Sequence, residues 1–140
     1  MTAIDYLKAL GVAVLVMVFT LAASFPMVAF YATFIEPGHP QQFYNDAAMW
    51  IAPWSSHVLG PLAFLAFNYR LAKRSPRRNA MAFAVMTFVF YLLVDFSTLP
   101  LMGIDILSAL TLTTILSLLT KLFGALGGAR LGTTARTQAI

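Results

Sequence analysis

Polar side chains recur at helical spacing inside one apolar stretch of the sequence. Thr87, Tyr91, Asp95 and Thr98 are separated by four, four and three residues, which places them on one face if the stretch is helical. A carboxylate and a phenol on one face can hold or pass a proton. We therefore expect this face to turn toward other protein groups and to mark a candidate functional cluster.

A partner for Asp95 lies in the preceding apolar stretch. His57 is seven residues past Trp50, about 10 Å by helical rise, and Asp95 is five residues before Pro100, about 7 Å by the same measure. Because these depths agree, the sequence predicts a hydrogen-bonded His57–Asp95 pair. The predicted intramembrane polar cluster comprises His57, Tyr91, Asp95 and Asp105.

The two acids of this cluster interrupt runs that carry no other charge. Residues 80–94 and 106–120 each provide 15 uncharged residues, which as helix reach only about 22 Å, whereas the hydrocarbon core of a bilayer is about 30 Å thick. Asp95 and Asp105 are therefore expected beneath the outer surface, where carboxylates turn inward or pair. Alternatively, both acids cap short helices, Asp105 in the first turn especially. His57 could equally be a packing residue beside two serines.

Other constellations are weaker. Glu36, His39 and Asp46 could gather a cation at the outer surface, although a solvated turn is the plainer interpretation. Ser55 and Ser56 lie beside His57, yet no Gly-x-Ser-x-Gly elbow is present. The absence of cysteine excludes disulfides and thiolate catalysis. We predict no catalytic residues, no metal and no cofactor.

The elements that must position these groups are membrane helices. The chain has 140 residues, of which 60% are hydrophobic and only 10% charged, whereas a soluble domain carries about 25% charged residues. The sequence predicts an all-α integral membrane protein with four transmembrane helices in an antiparallel bundle. The predicted spans are about 7–35, 47–69, 80–99 and 104–123, within a membrane domain of residues 1–128. Residues 129–140 are expected to form a flexible cytoplasmic tail.

Basic residues orient these spans. Most lie in one connector, the basic turn, which comprises Arg70, Lys73, Arg74, Arg77 and Arg78. Short loops rich in Lys and Arg stay in the cytoplasm, so both termini are expected there. Lys121 is expected to extend toward the cytoplasmic headgroups. The net charge of +4 thus reports topology, and we expect no nucleic-acid partner.

Small residues mark the expected close helix contacts, Ser56 and Gly60 on span two and Gly124 and Gly128 on span four.

The function predicted first is a non-catalytic accessory or assembly partner in a cytoplasmic or inner membrane, as a homo-oligomer or within a larger complex. The alternative is a small oligomeric transporter with a proton-linked cluster at His57 and Asp95. An enzyme acting on lipid is the least favoured.

Overall fold

The computed structural model describes residues 2–75, 79–101, 103 and 105–138, and these are almost entirely helical. The elements in chain order are α1 (Ala3–Phe30), a π-helical turn (Tyr31–Ile35), α2 (Gln41–Arg74), α3 (Ala80–Leu101), α4 (Ile106–Ala109) and α5 (Leu112–Thr137). Four of them are long, and α4 is a single turn.

Local side chains determine where the helices begin and end. Thr2 and Asp5 form a reciprocal capping box at α1, and the Oδ1 of Asn79 accepts the amide of Ala82, in the first turn of α3, at 3.1 Å. Such caps satisfy amides that have no partner within the helix. The turns between helices use Gly38 and Gly103 at φ values of +86° and +72°, which glycine adopts without strain.

Three helical segments are long and apolar enough to cross a membrane: Ala3–Ile35, Ala80–Leu101 and Leu112–Thr137. The prediction of an all-α chain of membrane type is thereby confirmed for the described residues. The helix α2 is not among the three, because tryptophan, proline, serine and histidine interrupt its apolar centre. The span expected at about 47–69 therefore stays a prediction.

The last helix differs from the expected span of 104–123. The chain forms α4, breaks at Leu110, and begins α5 at Leu112, where the Oγ1 of Thr111 accepts the amide of Thr114 at 3.2 Å. The helix α5 then continues to Thr137, so residues 129–137, expected as a flexible tail, are helical. Their small residues reflect close packing instead, since Ala129 is fully buried.

The tightest helix pair is α2 with α5, while α1 packs on α2 and α3, and α3 also packs on α5. A stripe of glycines on α5 lies directly on the backbone of α2, where a Cβ atom would collide with it. The contacts are Gly124 with Pro61, Gly128 with Leu65 and Gly132 with Tyr69. The close helix contact predicted at Gly124 and Gly128 is therefore present, and it continues one turn further, to Gly132. We call this line of glycine contacts the α2–α5 seam.

The two ends of the bundle carry different connectors. Arg136 Nη1 lies 3.5 Å from the carbonyl oxygen of Ser75, so the end of α5 meets the end of α2. Arg70, Lys73 and Arg74 lie on the last two turns of α2 at this end, whereas Arg77 and Arg78 lie outside the described residues. The opposite end carries the connectors at 36–40 and 102–111.

Candidate functional site: a polar cavity between the four long helices

A cavity of about 370 Å³ lies where the four long helices meet. Each helix contributes polar side chains to its wall, and apolar residues complete the lining. The polar lining residues are Thr20 from α1, Ser56 and His57 from α2, Tyr91, Asp95 and Thr98 from α3, and Thr114, Ser117 and Lys121 from α5. The cavity thus brings together polar side chains that are far apart in the sequence.

Lys121 is the central group of this site, and its position corrects the sequence prediction. Its residue is only 3% exposed, and the Nζ donates to Ser56 Oγ and to Tyr91 Oη, each at 2.9 Å. The side chain therefore extends into the bundle and not to the cytoplasmic headgroups. The reason is the late start and long continuation of α5, which put Lys121 near mid-helix.

Glycine on α2 makes room for the lysine. A Cβ at Gly60 would lie 2.6 Å from the Cε of Lys121 and 3.3 Å from its Cγ. The aliphatic stem of Lys121 therefore occupies the space that any other residue at position 60 would fill. Ser56, one turn earlier on the same face of α2, then receives the ammonium group.

Tyr91 holds the lysine from the other side of the cavity. Its ring packs edge-to-face on Phe64 at a centroid distance of 5.2 Å, and the residue is 2% exposed. Thr87, one turn deeper on the same face, donates to its own helix at the carbonyl of Phe83 at 2.9 Å. The predicted inward face of α3 is thus present, and its deeper half is fully enclosed.

Asp95 and His57 both line the cavity, but the predicted pair between them is not formed. No hydrogen bond joins the two side chains within the described part of the chain, and the buried Nδ1 of His57 has no partner there. The His57 ring instead contacts Trp54 edge-on, with centroids 6.1 Å apart. Asp95 lines the same cavity as Lys121, and among the described residues no salt bridge joins the two.

Asp105 lies outside the cavity. It is exposed, and its Oδ2 accepts the amide of Ser108 at 3.1 Å, so it is the N-cap of α4. This is the arrangement that the capping alternative described. Of the predicted cluster of four, the structure therefore brings together His57, Tyr91 and Asp95 and leaves Asp105 in the connector.

The predicted cation site at the outer surface is only partly assembled. His39 Nε2 lies 3.2 Å from Glu36 Oε2, but Asp46 accepts from Gln42 at 3.2 Å instead. Among the described residues, no group of three acidic, histidine or cysteine side chains could hold a metal ion. Glu36 and His39 thus share an exposed side-chain contact in a turn, where the hydroxyl of Tyr44 donates to the carbonyl of Glu36.

The sequence contained a signal for the α5 wall of the cavity that was overlooked. Thr114, Ser117, Lys121, Gly124 and Gly128 are separated by three, four, three and four residues, which is one continuous helix face. The other threonines and serines of this region obscure it. Considered with the glycines, the stripe predicts that Lys121 faces α2.

Comparison of the chain with protein-family models, with curated proteins and with solved structures finds no match. The function must therefore be inferred from the cavity itself.

Proposed function

We propose that this chain is a four-span membrane protein whose central cavity binds a small polar solute, and that the cavity is the solute site of a small transporter. The observation that carries the proposal is Lys121, a buried cation in the middle of a membrane-type helix that lines a cavity of about 370 Å³. Ligand pockets typically measure about 300–1,000 Å³.

The energetic cost of this lysine supports a functional role. Placing Lys at the centre of a transmembrane helix costs about 2.5–3.5 kcal/mol on insertion scales. A methionine or leucine would fill the same space without that cost. Ionisable groups kept within membrane helices face cavities and serve substrate or ion pathways as a rule, which matches the position of Lys121 in the cavity wall.

The packing of α2 supports a fourth span. The helix has 34 residues, which corresponds to about 51 Å. It lies backbone to backbone against α5 along three successive turns, from Pro61 to Tyr69. Since α5 is long and apolar enough to cross the bilayer, a helix packed along it crosses the same layer.

The charges support cytoplasmic termini. The end of the bundle where Arg136 meets Ser75 also carries Arg70, Lys73 and Arg74, whereas the opposite end carries the acidic residues Glu36, Asp46 and Asp105. Basic residues near helix ends remain on the cytoplasmic side, so the cavity lies nearer the outer surface.

Single-cysteine labelling will test this orientation. The chain contains no cysteine, so each substitution gives one reactive thiol. In intact cells, Gln42→Cys is expected to react with a membrane-impermeant maleimide and Ser75→Cys only after the cells are opened. Because both positions lie at helix ends, the two variants serve as each other's control. The reverse pattern would refute the orientation.

Transport itself predicts that the cavity opens to both sides of the membrane in turn. Ser117→Cys is expected to react with a charged, impermeant methanethiosulfonate from either face of sealed vesicles, because an alternating cavity admits water from both. Leu119→Cys, on the exposed apolar face of α5, is the matched control and is expected to stay unmodified. Modification of Ser117→Cys from one face alone would contradict transport.

The accessory role predicted from the sequence is the second candidate. The observation in its favour is that Lys121 bonds to both α2 and α3, so the polar groups could serve only to hold the helices together. In that case, removing the lysine would destabilise the bundle, and the protein would copurify with a larger complex. The transport proposal requires neither result.

A further inference from the structure

Two ionisable side chains of opposite formal charge line the cavity at different depths. Lys121 Nζ is bonded to Tyr91 and Ser56, and Asp95 lies one helical turn beyond Tyr91, nearer the connector at 102–111. Both groups line the cavity, yet no salt bridge joins them within the described residues. We call the deeper part of the cavity the cationic part and the part nearer the outer end the anionic part, after the formal charges of Lys121 and Asp95.

The cationic part contains hydrogen-bond donors that have no described acceptor. An ammonium group has three N–H donors, and the described partners of Lys121 use two of them. Ser117, which is 6% exposed, lines the cavity one turn outward on the same face of α5, and its hydroxyl has no described partner. A carboxylate placed between Lys121 and Ser117 would satisfy both groups.

The anionic part has the complementary property. The carboxylate of Asp95 accepts no hydrogen bond from a described residue. The nearby hydroxyl of Thr98 donates instead to the backbone carbonyl of Asp95, at 2.7 Å. A cationic ligand group facing Asp95 would pair with it. Apolar side chains complete the wall between the helices, namely Met17, Leu21, Leu99 and Leu118.

We infer that the cavity binds a small zwitterion with an apolar side chain, of the α-amino-acid class, with its carboxylate on Lys121 and Ser117 and its ammonium group facing Asp95. This inference rests on the proposed function of the cavity as a solute site. A ligand with a single charge would leave one of the two protein charges unpaired in a place of low dielectric. That unpaired charge would also repel the ligand, because the two have the same sign.

Binding of leucine and of two analogues, one lacking its amino group and the other its carboxyl group, tests the inference. The probes are L-leucine, 4-methylpentanoate and 3-methylbutylamine, measured by titration calorimetry on the full chain in lipid nanodiscs near neutral pH. Leucine is expected to bind about tenfold more tightly than either singly charged probe, or more, because pairing of a buried charge is lost in each of them. Equal binding of either singly charged probe, or no binding of leucine, would overturn the inference.

Substitutions show whether the two charges discriminate as inferred. Asp95→Asn is expected to remove the preference of leucine over 4-methylpentanoate, because it removes both the partner of the ammonium group and the repulsion of the carboxylate. Asp46→Asn, which alters an exposed acid outside the cavity, is the control and should retain the preference. A preference unchanged in Asp95→Asn would refute the role given to Asp95.

The two proposals fail in different ways. If Ser117→Cys is modified from both faces but leucine does not bind, the cavity is a transport path and the zwitterion inference is wrong. If leucine binds but the thiol reacts from one face alone, the inference stands as a binding site and transport is refuted.

Discussion

Gly128→Leu is expected to separate α2 from α5 and to lower the free energy of unfolding by about 3 kcal/mol or more, at the upper end for overpacked interiors. A Cβ at this position would collide with the backbone of Leu65, including its carbonyl oxygen. A backbone cannot move aside as a side chain can, so the whole of α2 must shift. Unfolding in a mixed-detergent titration, followed by tryptophan fluorescence, measures the change.

The neighbouring glycine provides a matched control for this substitution. Gly127 lies one residue earlier on α5, and a Cβ there would meet nothing within 4 Å. Gly127→Leu is expected to leave stability unchanged or raise it by up to about 1 kcal/mol, because leucine favours helix over glycine. Equal destabilisation by the two substitutions would show that the α2–α5 seam is not packed as described.

Lys121→Met is expected to retain the folded bundle and to abolish solute binding. Methionine is unbranched and fits the space beside Gly60, and it avoids the cost of about 2.5–3.5 kcal/mol for a lysine at the centre of a membrane helix. The ligand loses its cationic partner, so leucine affinity should fall at least about 30-fold, the lower range for a truncated charge pair. Calorimetric titration and thermal unfolding, run on the same preparation, measure the two effects.

Two further variants separate the roles of Lys121. Lys73→Met removes an exposed cation at the end of α2 and should leave affinity unchanged. The double variant Lys121→Met/Asp95→Asn also removes the remaining charge of the cavity, so it should be at least as stable as the single variant. A bundle that unfolds in Lys121→Met, with binding intact in the folded fraction, would favour the accessory role over the solute site.

Local spacing was enough to predict much of what the helices present to one another. The face of α3 that carries Tyr91 and Asp95 was readable from its spacing, and so was the packing role of Gly124 and Gly128. These features repeat with the period of one helix, so they need no knowledge of its neighbours. The boundaries of α5 were harder to predict, because the break at Leu110 falls within an apolar run.

What the sequence determined by itself was the class of molecule, an all-helical membrane-type chain. What only the tertiary structure decided was which polar groups meet. Lys121 reaches Tyr91 and Ser56, His57 does not bond to Asp95, and Asp105 caps a separate turn. The physical reason is that a contact between helices depends on their relative rotation and offset, and a shift of one residue turns a side chain by about 100°.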